Sequence, residues 1–457
     1  MSLLGVDIGT TGCKAATFAV DGKRLAQAYR TYSVLHPQPG WAELDSRVVW
    51  DQIVETLREV AAATRSDPIT AVCASSFAEA GVWLTRDRQI LGRSILFADT
   101  RGAEHIAALL QRFSVEQLYA ITRNLPGPQY SLAKLLWLRE HQPDLDRQAD
   151  LFLPWADAFG YLLGGEATTC QSLASRTYLF DLARGDWSDE LLAWSGIERQ
   201  RLGRVVPAGT VTGTVSPAAA AVVGLPAGVP IVAGSHDQCC NAVGAGIIAP
   251  GRAVCGLGTF ECITPVWRGQ PDAAALRAQG LNLEHHVVPG LYVSFLYNQA
   301  GSLVRWFRDT FAAGAEYDEL VGEMPAEPTD MLVLPYFEPT GPPAFVRDAS
   351  GAIVGLKTHT TRGEILKAIM ESVTLYFADN LTALRELGLD TSEFVATGGG
   401  AQSDAWLQIK ADILGVPLRR PQVTEAGALG AALLAGSATG VFASLAEGVA
   451  QFVKLDR

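Results

Sequence analysis

The sequence predicts an α/β protein built as two related halves, and three observations carry that reading. The apolar run Leu3-Leu4-Gly5-Val6 leads into Asp7-Ile8-Gly9-Thr10-Thr11-Gly12 and is answered by Ala15-Ala16-Thr17-Phe18-Ala19-Val20. That is a strand, a tight glycine turn and a returning strand. A second hairpin of the same build runs from Ala253 through Gly256-Leu257-Gly258-Thr259 and returns through Cys262-Ile263-Thr264. Finally, 457 residues are too many for one hydrophobic core. Two alike hairpins in a chain of this length divide it into domains at 1–245 and 246–457.

The elements follow in order. After the first hairpin, Asp21-Gly22 is a turn and Ala28 to Leu35 reads as a strand. Pro37 to Trp41 is a loop, and a helix starts near Ser46 with Val49, Ile53, Leu57 and Val60 on one face. Ile69 to Ser75 is a strand that opens into the small and polar stretch Ser76-Phe77-Ala78-Glu79-Ala80-Gly81. Strand ends of an α/β sheet are where ligands gather, which marks Ala78 and Glu79. Asp99 and Arg101 put an opposite-charge pair in the next loop, either to touch a substrate or only to brace one another. From Gln111 to Ser195 the pattern is helical, and Trp155, Trp187 and Trp194 read as core. The strand Ile231-Val232-Ala233 then delivers Gly234-Ser235-His236-Asp237-Gln238.

In the second half Thr361 with Glu364 forms a capping box. It opens a helix striped by Ile365, Ile369, Val373, Phe377, Leu381 and Leu384 that stops at Gly388. Phe394 to Thr397 is a strand running into Gly398-Gly399-Gly400, with a helix from Ser403; strand, glycine turn and helix start are a nucleotide-cradling layout. The helix near Glu425 to Ala432 is rich in small residues, and close packing beside that same glycine turn is expected.

Composition narrows the class. Hydrophobic residues make up 48% and charged residues 18%, the balance of a well-packed globule rather than a disordered chain. A net charge of −12, from 36 basic against 48 acidic residues, argues against nucleic acid as a partner. No apolar stretch is long enough to span a bilayer, and no basic leader precedes the first strand. Seven cysteines without CxxC spacing fit buried thiols in a reducing compartment, so a cytoplasmic location is expected.

Four groups of residues carry chemistry. Glycines let backbone N–H groups approach a phosphate, and the hydroxyls of Thr10 and Thr11 add donors without bulk. Asp7, at a strand end, suits a metal or water anchor, and Lys14 could reach an outer phosphate. Asp237 follows a buried strand at the junction of the halves, where a carboxylate could take a hydroxyl proton during phosphoryl transfer; a plain helix cap is the alternative. An ordinary glycine turn would likewise give the first hairpin.

Taken together, DIGTTGCK at 7–14, FADTR at 97–101, GSHDQ at 234–238, GLGTFE at 256–261 and GGGAQSDAW at 398–406 resemble the FGGY carbohydrate kinases. These belong to the superfamily of actin, hexokinase and the heat-shock ATPase chaperones. The resemblance covers nearly the whole chain and implies two ribonuclease-H-like (actin-like ATPase) domains with a ligand cleft between them, the first binding sugar and the second nucleotide. It implies ATP, Mg2+ and a small sugar (a ketose such as a pentulose) or polyol as ligands, and a homodimer is an assembly it leaves open. By resemblance Asp237 is the catalytic base. Glu79, Ala78, Asp99, Arg101, His236 and Gln238 are substrate contacts. Gly9, Thr10, Thr11 and Lys14 form one phosphate loop, Gly258 and Thr259 the other, and Gly301, Gly399, Gly400 and Asp404 are further nucleotide contacts. Glycerol kinases carry Arg-Glu where this chain reads Ala78-Glu79, so the missing guanidinium argues against glycerol; the Met-His of xylulokinases is missing too. Two rival readings are an ATP-binding switch of the same superfamily without small-molecule kinase activity and a sugar-binding regulator. The His236-Asp237 pair and the Glu79 loop speak against the switch, and no DNA-binding segment is visible for the regulator.

Overall fold

The first hairpin forms as expected. Strand β1 (Ser2–Ile8) pairs antiparallel with β2 (Gly12–Ala19), and Gly9 N–H bonds to Gly12 O at 2.9 Å, leaving Thr10 and Thr11 at the tip. Strand β3 (Arg24–Thr31) continues the meander; it begins four residues before the expected Ala28, and Leu35 makes only an isolated bridge to Glu43. Strands β4 (Ile69–Ser76), β5 (Val211–Thr214) and β6 (Pro230–His236) complete a sheet of order β5-β6-β4-β1-β2-β3, with β1, β4 and β6 parallel. The helix Ser46–Ala63 buries Val49, Ile53, Leu57 and Val60, the four residues its periodicity selects.

This is a computed structural model, and it describes residues 1–338, 340–346 and 348–456. They divide into two units: Met1–Ile248 with Glu284–Leu291 and Glu425–Lys454, and Ala249–Leu283 with Tyr292–Thr424 and Leu455–Arg457. The first unit thus ends close to the expected boundary after 245 but also takes 284–291 and 425–454.

The helix Ala426–Ala438 explains the last of these. It was expected beside the 398–400 turn, yet it lies on β1 and on the helix Asp237–Gly244 of the first unit. A Cβ on Gly5 would stand 1.8 Å from Ala428 O, and one on Gly430 would stand 1.9 Å from Cys240 O. No other residue permits so close an approach of two backbones. The small side chains are there to seat this helix on the first sheet.

In the second unit β7 (Arg252–Leu257) and β8 (Phe260–Arg268) form the second hairpin around Gly258-Thr259. Strand β9 (Leu296–Gln299) adds antiparallel to β8, while β10 (Glu393–Thr397) runs parallel to β7 and β11 (Leu418–Arg419) parallel to β10. The local order β8-β7-β10 repeats the β2-β1-β4 of the first unit, which supports the reading as two related halves. The capping box of Thr361 and Glu364 is present, the helix spans Arg362–Glu386, and Gly388 ends it at φ +83°. All seven cysteines are buried and unbridged. Among the described residues no helix is long and apolar enough to cross a membrane.

Candidate active site

Register alone assembles the site of the first unit. Ile8, Ser76 and His236 stand side by side on β1, β4 and β6, so Asp7, the Phe77–Glu79 stretch and Asp237 leave the sheet at one edge. Parallel strands ending together are what bring residues 230 positions apart to one place.

Asp7 accepts a hydrogen bond from Ser75 Oγ at 2.8 Å, and a Cβ on Gly427 would meet its Oδ2 at 2.7 Å. Burial, and then the charge of Asp237, push the Asp7 carboxyl up to about 6. Lys14 faces Asp7 across the hairpin and is ion-paired with Glu425. Gly9 and Thr10 are half-buried at the turn and Thr11 is exposed.

Asp237 is the first residue of the helix Asp237–Gly244, whose cap position is taken by His236. Its Oδ1 lies 3.2 Å from His236 Nε2. Burial, reinforced by the charge of Glu79, raises its carboxyl above the usual range, while His236 and hydrogen bonding from Gln238 oppose that shift. The result is a more basic carboxylate at a helix N-terminus.

Glu79 is held by Arg176, whose Nε donates to Oε1 at 2.8 Å and whose Nη2 bonds the same oxygen. Burial works to raise the Glu79 carboxyl, but Arg176 and His236 outweigh it and hold the group below its ordinary value. Arg176 follows the short helix Gln171–Ser175, lies 5.0 Å from the Tyr130 ring centre and reaches Asn124 Oδ1 at 3.4 Å. Position 78 lacks the arginine of an Arg-Glu pair, as expected, but a different guanidinium, that of Arg176, meets Glu79 from 97 residues away. Glu284 is fully buried and accepts from His236 Nδ1 at 2.7 Å. Its Oε1 also takes the Cys239 thiol at 3.4 Å, so these three donor groups, all within 4.8 Å, form a hydrogen-bonded cluster. Sequence reasoning missed Arg176, Asn124, Tyr130 and Glu284, and no local motif announces any of them.

Three expected substrate contacts are corrected. Ala78 is fully enclosed among core residues, so it brings no side chain to the site. Asp99 and Arg101 take the bracing alternative: Arg101 Nε bonds both Asp99 oxygens at 3.0 Å, its Nη2 reaches Glu43 at 2.8 Å, and its guanidinium lies against the rings of Trp41 and Trp137. Lys134 donates to the Asp99 and Arg101 carbonyls beneath them. With both side chains buried and paired inside the protein, neither is offered to a ligand.

In the second unit three glycine stretches meet. Gly301 starts the helix Gly301–Phe311, and its N–H bonds Gly258 O at 3.1 Å; a Cβ there would stand 2.4 Å from that oxygen. A Cβ on Gly398 would stand 2.6 Å from Leu257 O, and Gly400 approaches the Leu257 side chain. Gly399 faces open space. Thr259 O accepts from Ser302 N–H at 2.8 Å. Asp404 opens the helix Asp404–Leu414, is exposed and pairs with Arg420 Nη2 at 2.6 Å. These turns make a shelf lined with exposed and half-buried glycines.

The model of the N-terminal domain of the FGGY family of carbohydrate kinases matches residues 2–244, and that of the C-terminal domain matches 257–439. The chain belongs to the FGGY family of carbohydrate kinases. A xylulose kinase of Bacillus subtilis is 28% identical over 99% of this kinase and 91% of that protein. A glycerol kinase of Bordetella parapertussis is 31% identical over 98% of this chain and 91% of its own. The crystal structure of a xylulose kinase from Rhodospirillum rubrum superposes with a TM-score of 0.89 at 30% identity, covering 100% of this chain and 93% of that one. The fold is accordingly the actin-like ATPase fold of that family, and the protein is a carbohydrate kinase. Relatives named for xylulose and for glycerol stand at similar identities, so similarity does not select the sugar.

Proposed function

We propose that this kinase transfers the γ-phosphoryl group of ATP to a hydroxyl of a small sugar or polyol, with Asp237 as general base. The observation that carries the reading is the edge of the first sheet, where Asp237 and the Glu79–Arg176 pair converge. Glu79 accepts from substrate hydroxyls while Arg176 holds its carboxylate, and His236 and Gln238 line the base. Asp237 takes the hydroxyl proton as the oxygen attacks phosphorus and the bond to ADP breaks. The glycine shelf of the second unit fits ATP, and Asp7, a half-buried carboxylate backed by Gly427, fits a divalent cation. When bound, these supply the phosphoryl group and neutralise charge on it.

A screen of ADP release over pentuloses, hexuloses and polyols tests the reading. Sugar-dependent release is expected; ATP turnover indifferent to every sugar would favour a nucleotide switch instead. Relatives named for glycerol and for xylulose are both similar to this chain, so both compounds belong in the panel.

Glu79→Ala should raise the sugar KM by roughly ten- to a hundredfold, from about 1.5–3 kcal/mol per bond to a charged acceptor, and leave the ATP KM nearly unchanged. Glu79→Gln should do less. Equal drift in both KM values with a large fall in melting temperature would reduce Glu79 to a partner of Arg176.

Asp7→Asn should inactivate the kinase yet stabilise it. The folded protein holds this carboxyl at about 6 against an ordinary value of 3.8. The contribution to stability is complete below the lower value and is lost as pH rises through the upper one. At pH 7.5 ionised Asp7 therefore costs on the order of 1–3 kcal/mol, which the amide avoids. Melting curves at pH 7.5 and 4 check it: a gain at the first and none at the second is expected, and equal melting temperatures at pH 7.5 would refute it.

A further inference from the structure

We propose that Glu284 is a positioning residue for the base: it fixes the His236 imidazole so that Nε2 faces Asp237, and so ties the base to the Glu79–Arg176 pair. The inference rests on Asp237 being the base.

The geometry is a chain of contacts within the first unit. Asp237 Oδ1 lies 3.2 Å from His236 Nε2, and His236 Nδ1 lies 2.7 Å from Glu284 Oε1. Glu284 Oε2 stands 4.0 Å from Arg176 Nε, which itself donates to Glu79. A carboxylate with no solvent exposure must be compensated by its neighbours. Because Glu284 can only accept, Nδ1 carries a proton. A bare Nε2 would then set its lone pair against the Asp237 carboxylate; a second proton there makes that contact attractive. The imidazolium is held between two carboxylates, as in a carboxylate–histidine pair that fixes tautomer and ring orientation. The groups facing His236 are Asp237 and Cys239 from its following helix, Glu284 from the 284–291 segment, Arg176 and Glu79; Asp7 acts on Asp237 from β1. Against the pull of burial, the charges of Glu284 and Asp237 favour the charged imidazole, so the substrate proton stays on Asp237 while the new oxygen–phosphorus bond forms and the bond to ADP breaks.

Glu284→Gln separates these roles, because the amide keeps the shape and the acceptor at Nδ1 but loses the charge. In the full-length kinase we expect kcat to fall roughly 10- to 100-fold, the effect of removing a residue that orients a functional histidine. The sugar KM should change far less than kcat, since Arg176 keeps both of its bonds to Glu79. In an Asp237→Asn background the same change should cost little further, since groups acting as a unit are not additive. Nitrogen NMR of histidine-labelled protein, with His236→Asn to assign the signals, should report both His236 nitrogens protonated in the wild type and one in Glu284→Gln. Unchanged His236 signals in Glu284→Gln, or a full 10- to 100-fold loss in the Asp237→Asn background, would overturn the proposal. A wild type without sugar-dependent ADP release would overturn the base assignment beneath it, and the imidazole signals would then decide the Glu284 contact alone.

Discussion

Asp237→Asn should reduce sugar phosphorylation by about 10²–10⁴ while nucleotide affinity stays near that of the wild type, because an amide cannot take up the hydroxyl proton. The substitution is nearly isosteric, and the neighbouring contacts survive it: a side-chain oxygen remains to face His236 Nε2, and the helix Asp237–Gly244 keeps its first residue. The carboxylate it removes is unusually basic, since burial and the nearby charge of Glu79 raise it. Loss of that basicity falls on turnover rather than on binding. The glycine shelf belongs to the other unit, so calorimetric titration with nucleotide should give the same Kd for both proteins. Turnover is to be measured at saturating sugar and nucleotide. If the variant keeps wild-type kcat there, another group accepts the proton and the charge chain from Glu79 to Asp237 serves binding alone.

What could be read from the sequence was what is decided locally. Both glycine hairpins, the Thr361–Glu364 box and the stop at Gly388 depend on residues within a turn or two of each other, and each stands where expected. The third strand was misplaced because its buried positions are few: Ala28 is the only residue of Arg24–Thr31 wholly inside, so the apolar pattern does not mark its bounds. The helix Ala426–Ala438 was seen as a close-packing element but assigned to the wrong neighbour. Small residues say that a backbone comes near, not whose, and the glycines that receive it are Gly5 and Gly244, far back in the chain.

The same distinction runs through the site. Asp7, Glu79 and Asp237 sit at strand ends, a position that sequence pattern reveals. Arg176 and Glu284 matter only through partners 97 and 48 residues away, and a lone arginine or glutamate gives no sign of them. Asp99 and Arg101 show the converse. Their charges suggested a ligand, but Trp41, Trp137, Glu43 and Lys134 close around them and satisfy both.

Lys410→Met should destabilise the second unit by about 3–5 kcal/mol, the cost of leaving a buried carboxylate without its partner. Lys410 and Glu261 are both without solvent exposure, and the ammonium donates to the two carboxylate oxygens at 2.8 and 2.7 Å. Cys255 Sγ adds a donor to Glu261 at 3.2 Å, and Thr374 stands 3.5 Å from Lys410. Glu261 follows the first residue of β8, directly after the Gly258-Thr259 turn, whereas Lys410 is on the helix that starts beside Gly399-Gly400. The pair thus clamps two sides of the glycine shelf to each other. Methionine fills the volume of the lysine stem among Phe377 and Trp406, so the loss reports charge rather than a cavity. Glu261→Leu in the Lys410→Met background should recover much of the stability, because a well-packed apolar pair replaces a buried ion pair at little cost. Denaturant unfolding of the two variants and nucleotide titration of each decide the matter. A single variant within about 1 kcal/mol of the wild type, or a double variant no better than the single, would mean that the clamp is not what holds the shelf.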